Sequence, residues 1–169
     1  MHIERLSSKH QLAAFNSGVK QLDDWLKSYA FENQSRDLSR SFVLVEDRGS
    51  VIGCYSLTMG GVRRQQLPPR YGRGLPDVEI GMVLLGRLAV DTRQQSHGLG
   101  RDLLVDAVLQ ALAAGEHAAA RFIAVDPIDE AARGFYQHFG FRDVPGDEHR
   151  RLFMRLDEIR ASLEEAEGP

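Results

Sequence analysis

The sequence predicts a mixed α/β (α+β) fold. Apolar runs of strand length alternate along the chain with stretches whose apolar residues recur at helical spacing. One of these runs ends in a polar turn that contains Gly98 and Gly100 and leads directly into an amphipathic helix. Open sheets hold ligands at such a junction, outside the carboxyl end of a central strand. We therefore expect a ligand site at this turn.

Length and composition indicate an ordinary globular protein. The chain has 169 residues, of which 43% are hydrophobic and 27% charged. It is expected to form a single domain over residues 1–160, followed by a frayed acidic tail over residues 161–169. The net charge of -3 excludes a protein that is basic as a whole. Of the 21 basic residues, 18 are arginine. Arginine can bind a phosphate with two hydrogen bonds, so local phosphate-binding patches are possible. A coding bias toward arginine explains the excess of arginine over lysine equally well.

Targeting and redox features favour the cytoplasm. The N-terminus lacks an apolar signal core and no apolar run reaches membrane-spanning length, so no membrane partner is expected. The single cysteine, Cys54, excludes an internal disulfide and fits a reducing compartment. Because it stands in a strand-like run, we expect it to be a buried spectator. The histidines show no metal-ligand spacing, so no metal is expected.

The N-terminal half is expected to hold three strands and two helices. Ser17 can cap the first helix, whose apolar residues, with Trp25 and Tyr29 among them, recur at helical spacing. A hairpin turn at residues 47–50 joins two strands. Glycine, proline and arginine residues over 60–76 predict a mobile loop beside the site. The expected elements are a strand over 3–6, helices over 18–30 and 31–38, and strands over 41–46 and 51–59.

The C-terminal half begins with a long apolar strand over 80–90. Apolar residues occupy both of its faces, as in a strand that is covered on both sides, so we place it at the centre of the sheet. The helix after the turn repeats apolar residues at helical spacing from Leu103 to Leu112. The remaining expected elements are a buried strand over 122–125, a short helix over 130–138, and closing strands at Phe141 and over 152–155.

The turn itself has the properties of an anion site. Backbone N–H groups from Ser96 to Gly100 point to the front of a helix N-terminus, which carries unpaired donors and positive dipole charge. Arg93 and Arg101 flank the turn and can add charge-assisted contacts. A Walker loop requires Gly-Lys-Ser/Thr at the last glycine, but in this chain Arg101-Asp102 follows Gly100. A Rossmann fingerprint would require a third glycine and an acidic residue at the end of the next strand. An ordinary steric turn is the remaining alternative for an isolated Gly-x-Gly.

Two motifs resemble the signatures of the GNAT (Gcn5-related) N-acetyltransferase family, and the resemblance covers nearly the whole chain. The first, Gln95-Ser96-His97-Gly98-Leu99-Gly100, matches the family pattern Gln/Arg-x-x-Gly-x-Gly/Ala, with serine at position 96 where the usual form has glycine. The second, Phe135-Tyr136-Gln137-His138-Phe139-Gly140-Phe141, resembles Phe-Tyr-x-x-x-Gly-Phe. The resemblance implies a mixed, mostly antiparallel sheet of six to seven strands, splayed at an acetyl-CoA site and flanked by about four helices.

The resemblance also implies how acetyl-CoA, the cosubstrate, is bound. The first motif binds the pyrophosphate, and the strand before it pairs with the pantetheine arm. Together with the two flanking arginines, the residues expected to bind the coenzyme are Leu88, Ala89, Val90, Arg93, Gln95, Ser96, His97, Gly98, Leu99, Gly100, Arg101 and Phe139.

Tyr136 matches the family tyrosine that serves as general acid beside the sulfur. A phenol with a pKa of about 10 protonates a thiolate whose conjugate acid lies near 8.5 only with help from geometry and developing charge. Core packing beside Phe135 is the alternative reading of Tyr136. No general base is identified. An α-amine, with a pKa of about 8, needs a base less than a lysine does, and Glu79 is a candidate base for other amines.

A narrower resemblance is to the GNAT toxins of type II toxin–antitoxin systems, which acetylate the α-amine of aminoacyl-tRNA and stop translation. It rests on residues 15–26, 29–30, 41–43, 53–57 and 84–90, with Asn16-Ser17-Gly18 where members usually have Asp-Cys-Gly. The resemblance implies direct transfer in a ternary complex, a ribbon-helix-helix antitoxin and a homodimer. The alternatives are a GNAT enzyme that acetylates a small amine, such as an antibiotic, polyamine or amino acid, and a module that binds without catalysis.

A tRNA substrate requires cations against its phosphates. The cluster between residues 63 and 73 is the preferred candidate, and further cations stand on the first two helices and next to the central turn. The residues expected to contact tRNA are Lys27, Arg36, Arg40, Arg63, Arg64, Arg70, Arg73 and Arg87.

Overall fold

The computed structural model describes residues 1–47, 49–144 and 150–166, and strands and helices alternate along them. The strands are β1 (His2–Arg5), β2 (Arg40–Val45), β3 (Val51–Arg63), β4 (Glu79–Val90), β5 (Phe122–Val125), β6 (Arg142–Asp143) and β7 (Leu152–Arg155). The helices are α1 (Lys20–Ser28), α2 (Ala30–Ser35), α3 (Pro69–Gly72), α4 (Leu99–His117), α5 (Glu130–His138) and α6 (Leu156–Ala166). In these ranges no helix is both long and apolar enough to cross a membrane.

The strands form a seven-stranded sheet in the order β1-β2-β3-β4-β5-β7-β6. β2 pairs antiparallel with both β1 and β3. On the other side of the sheet, β7 pairs antiparallel with both β5 and β6. The predicted architecture, a mixed sheet of six to seven strands flanked by helices, is confirmed.

The chain divides into two compact units, and the first comprises Met1–Thr58 and Leu85–Leu109. Its core gathers Trp25 and Leu26 of α1 with Phe15, Val43 and Cys54. Tyr29, which helical spacing groups with Trp25, was expected inside the first helix, but it lies beyond the end of α1 and its side chain is 56% exposed. The physical reason is that α1 ends at Ser28 and the chain turns at Tyr29 into α2.

Ser17 has a different role from the predicted helix cap. The residue that flanks α1 is Val19, and no side chain caps the helix. The hydroxyl of Ser17 instead donates to Oδ1 of Asp23 at 2.7 Å, and the same oxygen accepts the backbone N–H of Ser17 at 2.9 Å. The buried carboxylate of Asp23 therefore holds the turn that precedes the helix.

The first half of α4 also belongs to this unit. Leu103, Leu104 and Ala107 are buried, as the helical spacing predicts. Helix and strand are in close contact at Gly53 of β3, where a Cβ would lie 2.9 Å from Cδ1 of Leu103. This contact fixes the helix that carries the candidate anion site at its N-terminus.

The second unit comprises Met59–Leu84 and Gln110–Pro169. In its core Phe122 packs edge-on against Tyr71 and Phe153, with ring centroids 5.9 and 5.6 Å apart. Val62 and Leu67 are buried in the same cluster. The mobile loop predicted over residues 60–76 is therefore wrong: β3 continues to Arg63, a 3-10 turn and α3 follow, and the two apolar side chains anchor the segment.

The C-terminus is helical where a frayed tail was expected. Helix α6 covers residues 156–166 and begins with the buried Leu156, so the prediction is wrong for residues 161–166. Residues 167–169, and residue 48 of the predicted hairpin turn, lie outside the described residues. That residues 1–160 act as a single domain stays a prediction.

Candidate functional site

A strand, a turn and a helix build the candidate anion site. After Val90, the last residue of β4, the chain makes a 3-10 turn and enters α4 at Leu99. Between them, Ser96 and Gly98 have positive φ angles of 66° and 80°. This conformation is ordinary for glycine but costs serine about 1 kcal/mol, because its Cβ approaches the following carbonyl oxygen. A Cβ at Gly98 would meet no atom within 4 Å, so the backbone angle alone requires glycine there.

Six consecutive backbone amides lack a protein acceptor. In the part of the chain that the structure describes, no N–H from Ser96 to Arg101 donates to another residue, and the next, that of Asp102, donates to Gly98 O at 3.2 Å. Three of the six belong to the first turn of α4, where the helix dipole adds positive charge. Such a run of free donors can bind a phosphate or diphosphate group.

Asp91 is the buried carboxylate on which the turn is built. Its side chain is 0% exposed and accepts the backbone N–H groups of Asn16 and Arg93, each at 3.0 Å. The Arg93 guanidinium donates to both carboxylate oxygens, at 2.8 and 3.0 Å. These side-chain hydrogen bonds are the main cause that lowers the pKa of Asp91 from 3.8 to about 2. Sequence reasoning missed Asp91, although an acidic residue directly after an apolar strand is a visible signal.

Gln95 connects the turn to the segment before α1. Its side-chain Nε2 donates to Ser17 O and Val90 O, both at 3.0 Å. On the same side, Gly18 has a φ of 83°, and a Cβ there would lie 3.2 Å from Cγ2 of Thr92. Residues 16–18 therefore support the turn from one side.

The predicted coenzyme contacts near the turn divide into two groups. Arg93 and Gln95 form hydrogen bonds within the protein that shape the turn. His97 and Arg101 are exposed; Nδ1 of His97 lies 3.2 Å from Gln94 O, and Arg101 donates to its neighbour Asp102 at 3.3 Å.

The end of β4 supplies the predicted pantetheine contacts. Ala89 packs into the core of the first unit, whereas Leu88 and Val90 are half-buried. Arg87 precedes them, and its guanidinium carbon lies 4.2 Å from the centroid of the Trp25 ring. Burial lowers the pKa of Arg87 below its ordinary value.

Tyr136 lies on α5 in the second unit. Its ring packs edge-on against Phe135 and Phe141, with centroids 5.2 and 5.6 Å apart, and its side chain is 6% exposed. Loss of surrounding water raises the pKa of Tyr136 well above its ordinary value. The phenol is therefore protonated at neutral pH, as a proton donor must be. Phe139, at the end of the same helix, packs against Phe135 at 5.1 Å.

Four predicted tRNA contacts lie together in the second unit and are all exposed: Arg63, Arg64, Arg70 and Arg73. Arg64 donates to Leu75 O at 2.6 Å, so it also stabilises the segment. The Arg70 guanidinium lies 4.6 Å from the centroid of the Tyr71 ring. Among the described residues, the side chain of Arg73 has no ion-pair partner.

Three further predicted tRNA contacts lie in the first unit. Lys27 is exposed in the last turn of α1. Arg36 pairs with Glu32 at 2.8 Å, and Arg40 pairs with Asp37 at 2.5 Å. Exposed ion pairs of this kind contribute little free energy, so a phosphate can replace either carboxylate at small cost.

Two other side chains are relevant to the chemistry. Cys54 is buried, as predicted, and burial raises the pKa of its thiol to about 12, so it forms no thiolate at neutral pH. Glu79, the candidate base, is exposed at the start of β4.

Comparison with known proteins adds an independent result. A model of the acetyltransferase (GNAT) domain matches residues 38–143. A tRNA-acetylating toxin of Mycobacterium tuberculosis is 39% identical over 152 residues, which are 89% of this chain and 90% of that protein. The solved structure of AtaT complexed with acetyl-methionyl-tRNAfMet has a TM-score of 0.89 and 25% identity, and covers 96% of this chain and 98% of its own. AtaTR bound with AcCoA has a TM-score of 0.84 and 26% identity, with 96% and 97% covered.

Proposed function

This chain belongs to the GNAT acetyltransferase family, and from that premise we propose that it is an aminoacyl-tRNA-acetylating toxin of a type II toxin–antitoxin system. Acetyl-CoA is the acetyl donor, and the α-amine of an amino acid esterified to tRNA is the acceptor. The observation that carries the proposal is the run of free amides from Ser96 to Arg101, in a chain 39% identical to a tRNA-acetylating toxin. Acetylation of that amine blocks translation.

Donor binding is assigned to the first unit. The amides of residues 96–101 and the N-terminus of α4 offer donors and positive potential to a diphosphate. The backbone of Leu88–Val90 binds the pantetheine arm, as the family resemblance implies. His97 and Arg101 are exposed beside the turn and supply side-chain contacts. Arg93 acts through Asp91, because its Nε and one terminal nitrogen are already bonded to that carboxylate.

We assign the acid role to Tyr136. The acetyl carbon gains a bond to the amine nitrogen and loses its bond to sulfur, so a proton must reach the departing thiolate. The pKa of a free thiol is near 8.5, below that of a phenol, so an early proton transfer from Tyr136 is uphill. Tyr136 therefore donates a hydrogen bond that strengthens as charge develops on sulfur, and it gives up its proton only once the C–S bond is broken. The proton that the attacking nitrogen loses as the amide forms restores the phenol through water, so the products are the acetylated amine and the free thiol of CoA.

The acceptor amine needs little help to lose its proton. An α-amine has a pKa near 8, and an esterified amino acid is lower, so water can accept the proton at neutral pH. A lysine ε-amine, with a pKa of about 10.4, would need a strong base. The buried Cys54 thiol argues against an acetyl-cysteine intermediate. These properties support direct transfer in a ternary complex.

The remaining parts of the proposal concern partners. The exposed cations of residues 63–73, with Lys27, Arg36 and Arg40, contact tRNA phosphates. Family resemblance implies a homodimer and a ribbon-helix-helix antitoxin. Because charged tRNA is a cytoplasmic substrate, we place the protein in the cytoplasm.

The test is acetylation of total charged tRNA with labelled acetyl-CoA, followed by identification of the modified amino acid. We expect label on aminoacyl-tRNA, and a loss of about a hundredfold or more in kcat for Tyr136→Phe. Tyr71→Phe is the control, because it removes a phenol hydroxyl from a half-buried tyrosine of the same unit to which no catalytic role is assigned. Turnover of small amines without any label on charged tRNA would contradict the proposal and favour a small-amine acetyltransferase.

A further inference from the structure

Arg87 occupies an unusual position for a charged residue. It is the one charged side chain of β4 after its first residue, and the strand around it is apolar. Its guanidinium carbon lies 4.2 Å from the ring centroid of Trp25 of α1, which is the distance of a cation–π contact. Arg87 is half-buried. Partial burial of a cation costs desolvation free energy, so charged side chains are uncommon in the middle of an apolar strand.

No carboxylate offsets this cost within the described residues. Arg87 has no ion pair there and no hydrogen bond to a protein acceptor, and the nearby carboxylate of Asp24 pairs with Lys20 instead. A contact with the Trp25 ring supplies no conventional acceptor, so the N–H groups of Arg87 have none among the described residues. A half-buried fork of free donors is suited to an external anion, phosphate above all.

Arg87 also lines a pocket. Its volume is about 520 Å³, and it is lined by Lys20, Gln21, Asp24, Trp25, Tyr29 and Arg87. Tyr29 presents a ring that is 56% exposed, at the break between α1 and α2. An exposed aromatic ring beside a planar cation is the combination with which proteins hold single-stranded nucleotides, one stacking on the base and the other binding the phosphate.

The position along β4 fits an acceptor subsite. Arg87 directly precedes Leu88, the first residue assigned to the pantetheine arm, and successive side chains of a strand point to opposite faces of the sheet. The pocket therefore opens on the face opposite to Leu88. Because Arg87 adjoins the backbone assigned to the pantetheine arm, an acceptor bound in the pocket would lie next to the donor along the same strand.

We propose that the pocket of Trp25, Tyr29 and Arg87 binds the 3′-terminal nucleotide of the acceptor RNA, with Arg87 donating to its phosphate and Tyr29 stacking on its base. This inference rests on the proposed function, because it names a subsite for the same acceptor. The free in-plane donors of Arg87 and the exposed ring favour a nucleotide over an acidic peptide, which would use the charge but not the ring.

The first experiment measures KM separately for charged tRNA and for acetyl-CoA. Tyr29→Ala and Arg87→Gln are expected to raise KM for charged tRNA about tenfold or more, since a base–aromatic stack is worth that much. KM for acetyl-CoA should stay within about twofold. Tyr29→Phe should restore the affinity, because it keeps the ring. Phe31→Ala, which removes another exposed ring outside the pocket, is the control and should change neither value.

The second experiment measures direct binding of a short labelled RNA that ends in adenosine, as tRNA does. We expect the wild-type protein to bind it and Tyr29→Ala to lose about tenfold in affinity; because Tyr29 is exposed, this variant should fold normally. An unchanged KM for charged tRNA in both variants would overturn the inference while leaving the proposed function intact. If the wild type acetylates no charged tRNA, the proposed function fails and the RNA titration still decides on the pocket. Binding of an acidic peptide but not the RNA would overturn it.

Discussion

Replacing Asp91 by asparagine should remove the anchor of the turn that forms the candidate anion site. The carboxylate is completely buried, and its pKa is lowered from 3.8 to about 2 by hydrogen bonds from Arg93 and the backbone. At about 1.4 kcal/mol per pKa unit, this lowering corresponds to about 2.5 kcal/mol of stability at neutral pH before solvent screening. The Arg93 side chain is 63% exposed, so solvent screens part of this energy. The side-chain amide of asparagine would also direct its own N–H groups toward the backbone and guanidinium donors that Asp91 now accepts. This unfavourable contact lowers the stability by about a further 1 kcal/mol.

We therefore expect Asp91→Asn to lower the free energy of unfolding by about 2 kcal/mol at pH 7, measured by urea denaturation. A lowered carboxyl pKa stabilises the protein fully above the unfolded value and loses its effect as the pH falls through the folded value. The difference between wild type and variant should therefore be constant from pH 7 to about pH 5 and shrink from about pH 4 toward pH 2. KM for acetyl-CoA should rise, because the amides of residues 96–101 are no longer held in place.

Asp37→Asn is the control for this experiment. Asp37 also pairs with an arginine, Arg40, at 2.5 Å, but its side chain is 80% exposed, so we expect less than about 0.5 kcal/mol. The reasoning would be refuted if Asp91→Asn cost no more than Asp37→Asn at pH 7. It would also be refuted if the cost of Asp91→Asn were the same at pH 3 as at pH 7.

Four further predictions concern the turn, the second unit and the substrate. Ser96→Gly should raise Tm by about 2 °C, because it removes the Cβ that makes a positive φ unfavourable at this position; an unchanged or lower Tm would argue against strain there. Gly98→Ala should destabilise by about 1 kcal/mol in urea despite the open space around it, and a neutral effect would show that the angle is not required. Gly81→Ala should cost about 2 kcal/mol, because its Cβ would lie 2.5 Å from the Ala119 carbonyl oxygen; near-native stability would mean that the backbone yields easily. The affinity for tRNA should fall at least about tenfold between 50 and 200 mM salt in a binding titration, and a flat response would contradict a phosphate-contacting surface.

Most of the secondary structure could be predicted because its signals are local. The apolar spacing from Leu103 to Leu112 predicts a helix with one buried face, and that face is buried in the structure. The strand at residues 122–125 and the helix at 130–138 have the predicted bounds. Where the prediction was wrong, tertiary packing or a break in a helix decided the outcome. Leu67 is buried and anchors a segment whose glycine and proline content predicts a mobile loop. The break between α1 and α2 at Tyr29 leaves exposed an aromatic side chain that helical spacing groups with the apolar residues of α1.

The sequence by itself predicted the candidate anion site, because such a site, made of backbone amides, needs only a strand, glycine at the right angle and a helix start, all within about a dozen residues. The tertiary structure alone decided what the side chains around it do. Arg93 and Gln95 form hydrogen bonds within the protein because Asp91 and Ser17 lie beside them, whereas Arg87 contacts the Trp25 ring and has no carboxylate partner among the described residues. Hydrogen bonds and ring contacts depend on which distant residues the fold brings within about 3 to 5 Å, and no local pattern contains that information.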